Sequence, residues 1–204
     1  MTLGQRFARL VTTVVVRAPG AWRLFRGPMA AQFDALAPEW DATRTRSERF
    51  AALRSALEAV PEPPARALDV GTGTGAAARV AAEVWPDAEI VGVDLSSKMV
   101  EVARRLATSD RQRYEVADAS ALSFESGSFD VVFLSNMIPF FDELARVVAP
   151  GGHVAISFSM GGATPIYVPL VRVRSELERR GFAHVADFSV DPSIALLAKR
   201  RDGS

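Results

Sequence analysis

Two kinds of apolar pattern alternate along the chain from residue 65 onward. Short, nearly continuous apolar runs predict buried strands: Ala67-Leu68-Asp69-Val70, Glu89 to Asp94, Gln112 to Ala117, Phe129 to Leu134 and Val154 to Phe158. Between them lie segments with helical spacing. An alanine-rich helix should follow the first strand and end near Trp85-Pro86. The next carries Met99, Val102, Ala103 and Leu106 on one stripe, with Ser96 or Ser97 at its cap. Leu144, Val147 and Val148 suggest a short helix that stops at Pro150-Gly151-Gly152. Leu170, Val173 and Leu177 mark the last helix, closed by Gly181. Alternating strands and helices predict a parallel sheet covered on both faces. The final runs, Phe182 to Val190 and Ile194 to Ala198, have only Asp191-Pro192-Ser193 between them. So tight a turn requires an antiparallel pair.

Upstream the pattern differs. Pro61-Glu62-Pro63-Pro64 forbids helix and separates an N-terminal helical arm, residues 1–60, from a domain at 61–204. Phe50, Leu53, Leu57 and Val60 share a helical face just before the break, with Ser47 as the expected N-cap. The arm opens with Arg6, Arg9, Arg17, Arg23 and Arg26 and has no acid before Asp34. Such a run most often forms a solvated face. No apolar run approaches the ~20 residues that span a bilayer, so a cytoplasmic protein is expected.

Composition removes several chemistries. The 204 residues include no cysteine and only His153 and His184, which excludes thiolate sites and makes a zinc centre unexpected. Both histidines fall in strands or at strand edges and read as structural. Net formal charge is zero, so no nucleic-acid partner is expected.

Candidate chemistry gathers at the strand ends. Gly71, Thr72, Gly73, Thr74 and Gly75 follow the first strand. Glycines at these positions allow a tight turn into a helix and close approach of a ligand to the backbone. With Ala76 the run also satisfies the G-x-G-x-x-G/A dinucleotide fingerprint. The neighbouring acids discriminate. Asp94 closes the second strand nineteen residues after Gly75, placed for ribose hydroxyls and against a 2′-phosphate. Asp69, just before the glycines, would attract an ammonium and repel a pyrophosphate. Asp118 ends the third strand, where it can accept from an adenine amino group. Three acids at consecutive strand ends suit a cationic nucleoside amino acid better than a dianionic dinucleotide. Each also has a plain structural reading: Asp94 as a helix-terminal carboxylate, Asp118 as a turn residue, Met99 as core.

Leu68 to Gly75, Val91 to Met99, Val116 to Ala119, Phe129 to Asn136 and Leu144 to Gly152 resemble, in order and spacing, the successive cofactor motifs of class I S-adenosylmethionine (SAM)-dependent methyltransferases. Phe33-Asp34-Ala35-Leu36-Ala37-Pro38-Glu39-Trp40-Asp41 is similar to the opening F-D-x-x-A-x-x-Y-D segment of the subgroup containing quinone-biosynthesis C-methyltransferases, with Trp40 in place of the tyrosine. The resemblance implies a Rossmann-like, doubly wound α/β sheet, mostly parallel, with a C-terminal antiparallel hairpin and helices on both faces. It also implies SAM as cofactor. Asp69 and the backbone of Gly71 and Gly73 would hold its methionine portion, Asp94 the ribose, and Leu95 and Met99 the adenine ring. Asp118 and the amide of Ala119 would meet the adenine edge. Ser135 and Asn136 would lie near the transferred methyl, and Trp40 on the substrate side. Asn136 serves equally well as a loop tie.

Methyl transfer from a sulfonium needs alignment and dehydration, and a base only if the acceptor loses a proton. Glu39, Asp41, Asn136 and Asp142 lie in segments that can line the acceptor side, but none is singled out as catalytic. The loops Met137 to Asp142 and Ser159 to Pro169 leave the core without a lid insertion, so residues 1–45 are expected to cover a small-molecule or lipid-like acceptor. Arginines mixed with Val14, Val15, Trp22, Leu24 and Phe25 also suit contact of residues 1–30 with a membrane. The competing readings are an NAD-dependent oxidoreductase and a non-catalytic SAM-binding protein.

Overall fold

The computed structural model describes residues 1–44 and 47–202. Thr45, in the expected cover, and Gly203-Ser204, in the expected domain, lie outside the described residues.

The strands are β1 (Arg66–Val70), β2 (Glu89–Asp94), β3 (Gln112–Val116), β4 (Phe129–Ser135), β5 (Val148–Phe158), β6 (Phe182–Val190) and β7 (Ser193–Arg200). They form one sheet in the order β3-β2-β1-β4-β5-β7-β6. Neighbours from β3 to β5 are parallel, and β7 runs antiparallel to both β5 and β6. The tight turn thus does what its length requires, reversing the chain so that β7 slots between β5 and β6.

The helices are α1 (Leu3–Arg17), α2 (Trp22–Arg44), α3 (Ala51–Glu58), α4 (Ala76–Val84), α5 (Ser97–Arg105), α6 (Phe141–Val147) and α7 (Leu170–Glu178). Alternate strand residues feed two apolar layers. Leu68, Val70, Val132, Leu134, Val154 and Ile156 join a layer with residues of α1, α6 and α7, while Ala67, Val131, Phe133 and Ala155 join one with residues of α3, α4 and α5. Burial on both faces explains why β1, β2 and β4 read as continuous apolar runs.

Two expectations need correction. Ser47 does not cap α3; it begins a 3-10 turn, Ser47–Phe50, and the helix starts at Ala51 with no side-chain cap from its own segment. The service comes from across the fold, where the Ala52 amide donates to Ser193 Oγ at 3.0 Å. Secondly, β5 begins at Val148 rather than Val154, because Pro150-Gly151-Gly152 forms an irregularity within the strand and not a loop before it. The Ser96 cap is as expected, its hydroxyl accepting from the Met99 amide at 3.1 Å.

The arm is packed onto the domain. Ala8, Val11 and Val15 of α1 and Trp22 and Met29 of α2 are buried in the same layer as α6 and α7. Arg9 donates to the carbonyls of Gly162 (2.9 Å) and Thr164 (2.5 Å) in the loop after β5, so it is not part of a solvated face. Arg172 of α7 returns a bond to the Val16 carbonyl at 3.0 Å. Inside the segment assigned to the arm, α3 lies against β7, β6 and β5.

Behind the glycine turn the packing leaves no spare room. A Cβ on Gly92 of β2 would sit 2.5 Å from the Tyr114 ring and 2.7 Å from Thr72 Oγ1. Gly92→Ala should therefore cost about 1–3 kcal/mol, the usual penalty of overpacking. Urea denaturation measures it; an unchanged midpoint would show that Tyr114 has freedom to retreat.

Candidate functional site

The carboxyl ends of β1, β2, β3 and β4 lie side by side, the crevice position expected for ligands of an open parallel sheet. The turn from β1 into α4 is built by three glycines in left-handed backbone, Gly71 at φ 73°, Gly73 at 54° and Gly75 at 80°. An L side chain is strained at each. At Gly71 it would also strike Met137, whose sulfur lies 2.7 Å from the position of a Cβ. The amides of Gly71 and Thr72 donate to the Val93 carbonyl, and that of Gly73 donates to Asp94 Oδ2 at 2.9 Å.

The three predicted acids sit in three different environments. Asp69 has no exposed surface. Thr72 Oγ1 donates to its Oδ2 at 2.7 Å, and its Oδ1 has no donor among the described residues. Burial is the main cause that lifts its pKa to about 7; the Thr72 bond opposes this and the nearby Asp94 charge adds to it. Asp94 is also pushed up by burial, though the amides of Ser96 (2.9 Å) and Gly73 hold it down in part. For Asp118, partial burial pushes upward but is outweighed by the Ser120 amide and hydroxyl, Trp22 and the Arg26 charge. Its carboxyl stays below the ordinary range.

The remaining predicted residues are placed as follows. Ala119 is buried next to Asp118, and Leu95 is half-buried against the α6–α7 layer. Met99 is 1% exposed at the start of α5, in keeping with its core reading. Ser135 closes β4, and its hydroxyl is buried with no partner among the described residues. Asn136 follows in left-handed backbone at φ 56°, which asparagine tolerates better than most residues. Its side-chain amide donates to Ser159 Oγ (3.0 Å) and its oxygen accepts from the Ser159 amide (2.8 Å). Asn136 therefore ties the ends of β4 and β5. Trp40 packs edge-on against Phe33 at 5.5 Å, and its indole nitrogen lies 3.9 Å from where a Gly73 Cβ would be. Asp142 is paired with Arg180 at 2.7 Å, away from the glycine turn.

Several contacts at the site were not foreseen from the sequence. Asp34 accepts from Ser96 Oγ (2.5 Å) and the Lys98 amide (3.3 Å), which joins α2 to the cap of α5. Asp41 accepts from Thr74 Oγ1 (3.1 Å) and Arg79 (2.8 Å), joining α2 to the glycine turn. Their spacing of seven puts both on one helical face, a hint the sequence did contain. Trp22 donates from Nε1 to Asp118 Oδ1 at 2.8 Å. The Tyr114 hydroxyl is buried without a partner among the described residues, and burial raises its pKa, with the Asp69 charge adding to the shift.

The orphaned Asp69 and Ser135 oxygens, the side-chain-free turn and the Asp94 carboxylate fit a polar, cationic nucleoside ligand such as SAM. The comparisons agree. The family described as "Methyltransferase domain" matches residues 68–156. A demethylmenaquinone methyltransferase from Clavibacter sepedonicus is 35% identical over 77% of this chain and 66% of its own length. Another from Thermus thermophilus is 36% identical over 61% of this chain and 62% of its own. The chain thus spans just under two thirds of these relatives. The crystal structure of a SAM-dependent methyltransferase from Aquifex aeolicus superposes with a TM-score of 0.66, at 18% identity, covering 83% of this chain and 97% of that one.

Asp69 generates a test. Its folded pKa of about 7 lies above the ordinary carboxylate value of 3.8, so the folded state holds this proton more tightly than the unfolded chain. Stability is therefore lost as pH rises from 3.8 through about 7, and the full cost applies above that. Asp69→Asn removes the cost. Its thermal midpoint should exceed the wild type's by roughly 5–10 °C at pH 8, with a smaller gain at pH 5. A variant less stable at pH 8 than at pH 5, relative to wild type, would show that the carboxylate is well solvated or paired.

Proposed function

We propose that the chain is a class I SAM-dependent methyltransferase that transfers the methyl group of SAM to a small, lipid-like acceptor. The observation that carries this is the set of three carboxyl groups at successive strand ends around a side-chain-free glycine turn. Asp94 takes the ribose hydroxyls, Asp118 the adenine amino group, and Asp69 supplies negative field beneath the turn, over which the amino-acid ammonium lies. Ser135 offers a buried hydroxyl at the end of β4. The sheet order with its reversed β7, together with the similarity to methyltransferases, speaks against the nicotinamide reading.

The cofactor, when bound, supplies a methyl group on a sulfonium, already activated for in-line displacement. What remains for the protein is alignment and exclusion of water. The Asn136–Ser159 tie fixes the ends of β4 and β5 relative to each other, and Met137 seals the turn at Gly71. Among the described residues, Asp41, Asp142 and Asn136 are all engaged by protein partners. An acceptor acidic enough to ionise readily, such as a quinol or phenol, asks little of a protein base.

A lipid-like acceptor is supported by the arm and by the relatives' names. Helix α1 lies over the loop after β5, covering the side where a lid insertion is missing. Leu3, Leu10 and Leu24 are exposed among Arg6, Arg17, Arg23 and Arg26, a surface suited to anionic membrane. No helix among the described residues is long and apolar enough to cross a membrane, so such contact is peripheral.

Titration calorimetry with S-adenosylhomocysteine should give micromolar-range binding, and NAD should give no heat. Because a ligand ammonium favours ionised Asp69, affinity should rise from pH 5.5 to about 7 and flatten above it. The fall at pH 5.5 should be roughly tenfold, each pH unit below the free pKa being worth up to about a factor of ten. NAD binding with no response to either SAM species would refute the proposal. Cofactor binding without turnover of any quinol, phenol or lipid acceptor would favour the non-catalytic reading.

A further inference from the structure

Trp22 is buried at 5% exposure, yet it belongs to the arm and not to the cofactor motifs. Its indole N–H reaches Asp118 Oδ1, a residue 96 positions away. The same oxygen accepts from the Ser120 amide at 2.9 Å and the Ser120 hydroxyl at 2.7 Å. Three donors therefore converge on Oδ1. Among the described residues the other oxygen, Oδ2, faces only the Arg26 guanidinium at 3.6 Å, on a side chain 59% exposed. A carboxylate offers about four acceptor positions, so the capacity left for a further donor is at Oδ2.

We infer that Trp22 is a positioning residue of the cofactor site, whose indole N–H locks the Asp118 carboxylate so that Oδ2 is presented to the adenine 6-amino group. The inference rests on the SAM reading above. The cofactor does not have to displace Trp22, because the two use different oxygens, so the contact is a support and not a latch that shuts the site. The indole is itself held: Trp22 starts α2 directly after the Pro19–Ala21 turn, and its ring packs edge-on against Phe140 at 5.5 Å. Phe140 precedes α6, in the segment that leaves β4. Trp22 thus joins three parts: the arm, the adenine end of the crevice and the segment leading from the acceptor side. It also forms one wall of a cleft of about 410 Å³ with Val15, Phe140 and Phe141. Adenine recognition in this chain is accordingly completed by a helix outside the cofactor-binding strands.

The test uses the full chain and two ligands, S-adenosylhomocysteine and its analogue with a plain purine base lacking the 6-amino group. Trp22→Phe keeps an aromatic ring and removes the N–H with part of the indole, and the second ligand separates the two losses. It should weaken S-adenosylhomocysteine roughly 5- to 30-fold, a fraction of the roughly 10- to 150-fold worth of one hydrogen bond to a charged group, since Trp22 acts through Asp118. Binding of the plain-purine analogue should be the same in variant and wild type. Trp22→His, which restores a ring N–H, should recover part of the loss. Unchanged or tighter S-adenosylhomocysteine binding by Trp22→Phe would overturn the inference. So would equal losses for both ligands, since Trp22 would then only shape the pocket. Failure of the wild type to bind S-adenosylhomocysteine overturns the SAM reading itself, a result distinct from any change confined to the variant.

Discussion

A carboxyl group with no exposed surface stands near the end of β1, and the rest of the site is arranged around it. Burying Asp69 is costly, and the protein meets that cost partly by holding the proton to about pH 7 and partly through the Thr72 hydroxyl. Thr72 can reach it only because the chain turns sharply after Val70 through left-handed glycines. The turn in turn stays in place because the Val93 carbonyl and the Asp94 carboxylate accept its amides. Each of these contacts depends on the register that sets Asp69 beside Gly92 in the sheet. Gly92 is required because Tyr114 and Thr72 fill the space where a side chain would stand. Charge, turn and sheet register form one constraint.

The arm answers a second need, that of covering the crevice in a core whose loops are short. Its apolar face merges with the α6–α7 layer, which supplies most of the holding energy. Polar contacts then fix where it sits: Arg9 on the loop after β5, Asp34 on Ser96, Asp41 on Thr74 and Arg79, and Trp22 on Asp118. Polar contacts of this kind each add only about 0.5–1.5 kcal/mol. Spread along two helices, they set the position of the arm against each cofactor strand in turn. If the crevice binds as proposed, ligand binding and arm position are coupled, as in enzymes whose covers complete the site.

Much of this was legible in the sequence because it follows from local rules. Continuous apolar runs announced strands buried on both faces, three clustered glycines announced the turn, and a three-residue gap announced the hairpin. Where the sequence misled, the deciding contact came from far away. Ser47 has the chemistry of a cap, but Ser193 occupies that place after β7 has folded against α3. Pro150-Gly151-Gly152 looks like a break, yet the backbone continues as strand because β4 pairs beside it. Asn136 carried two readings, and the partner of its tie, Ser159, lies 23 residues on, beyond the reach of any local pattern. The role of Trp22 had no local signature at all, since a tryptophan in an apolar, arginine-rich segment looks like ordinary packing.

The central claim is that the crevice holds a ligand whose positive charge sits over Asp69. Carbon-13 NMR of the aspartate carboxyl groups, with Asp69 assigned by comparison with Asp69→Asn, reads that charge directly. Free protein should show Asp69 titrating near pH 7, and saturation with S-adenosylhomocysteine should lower that value by about one unit or more, as a nearby cation does. A pKa that stays put or rises on saturation would contradict the account.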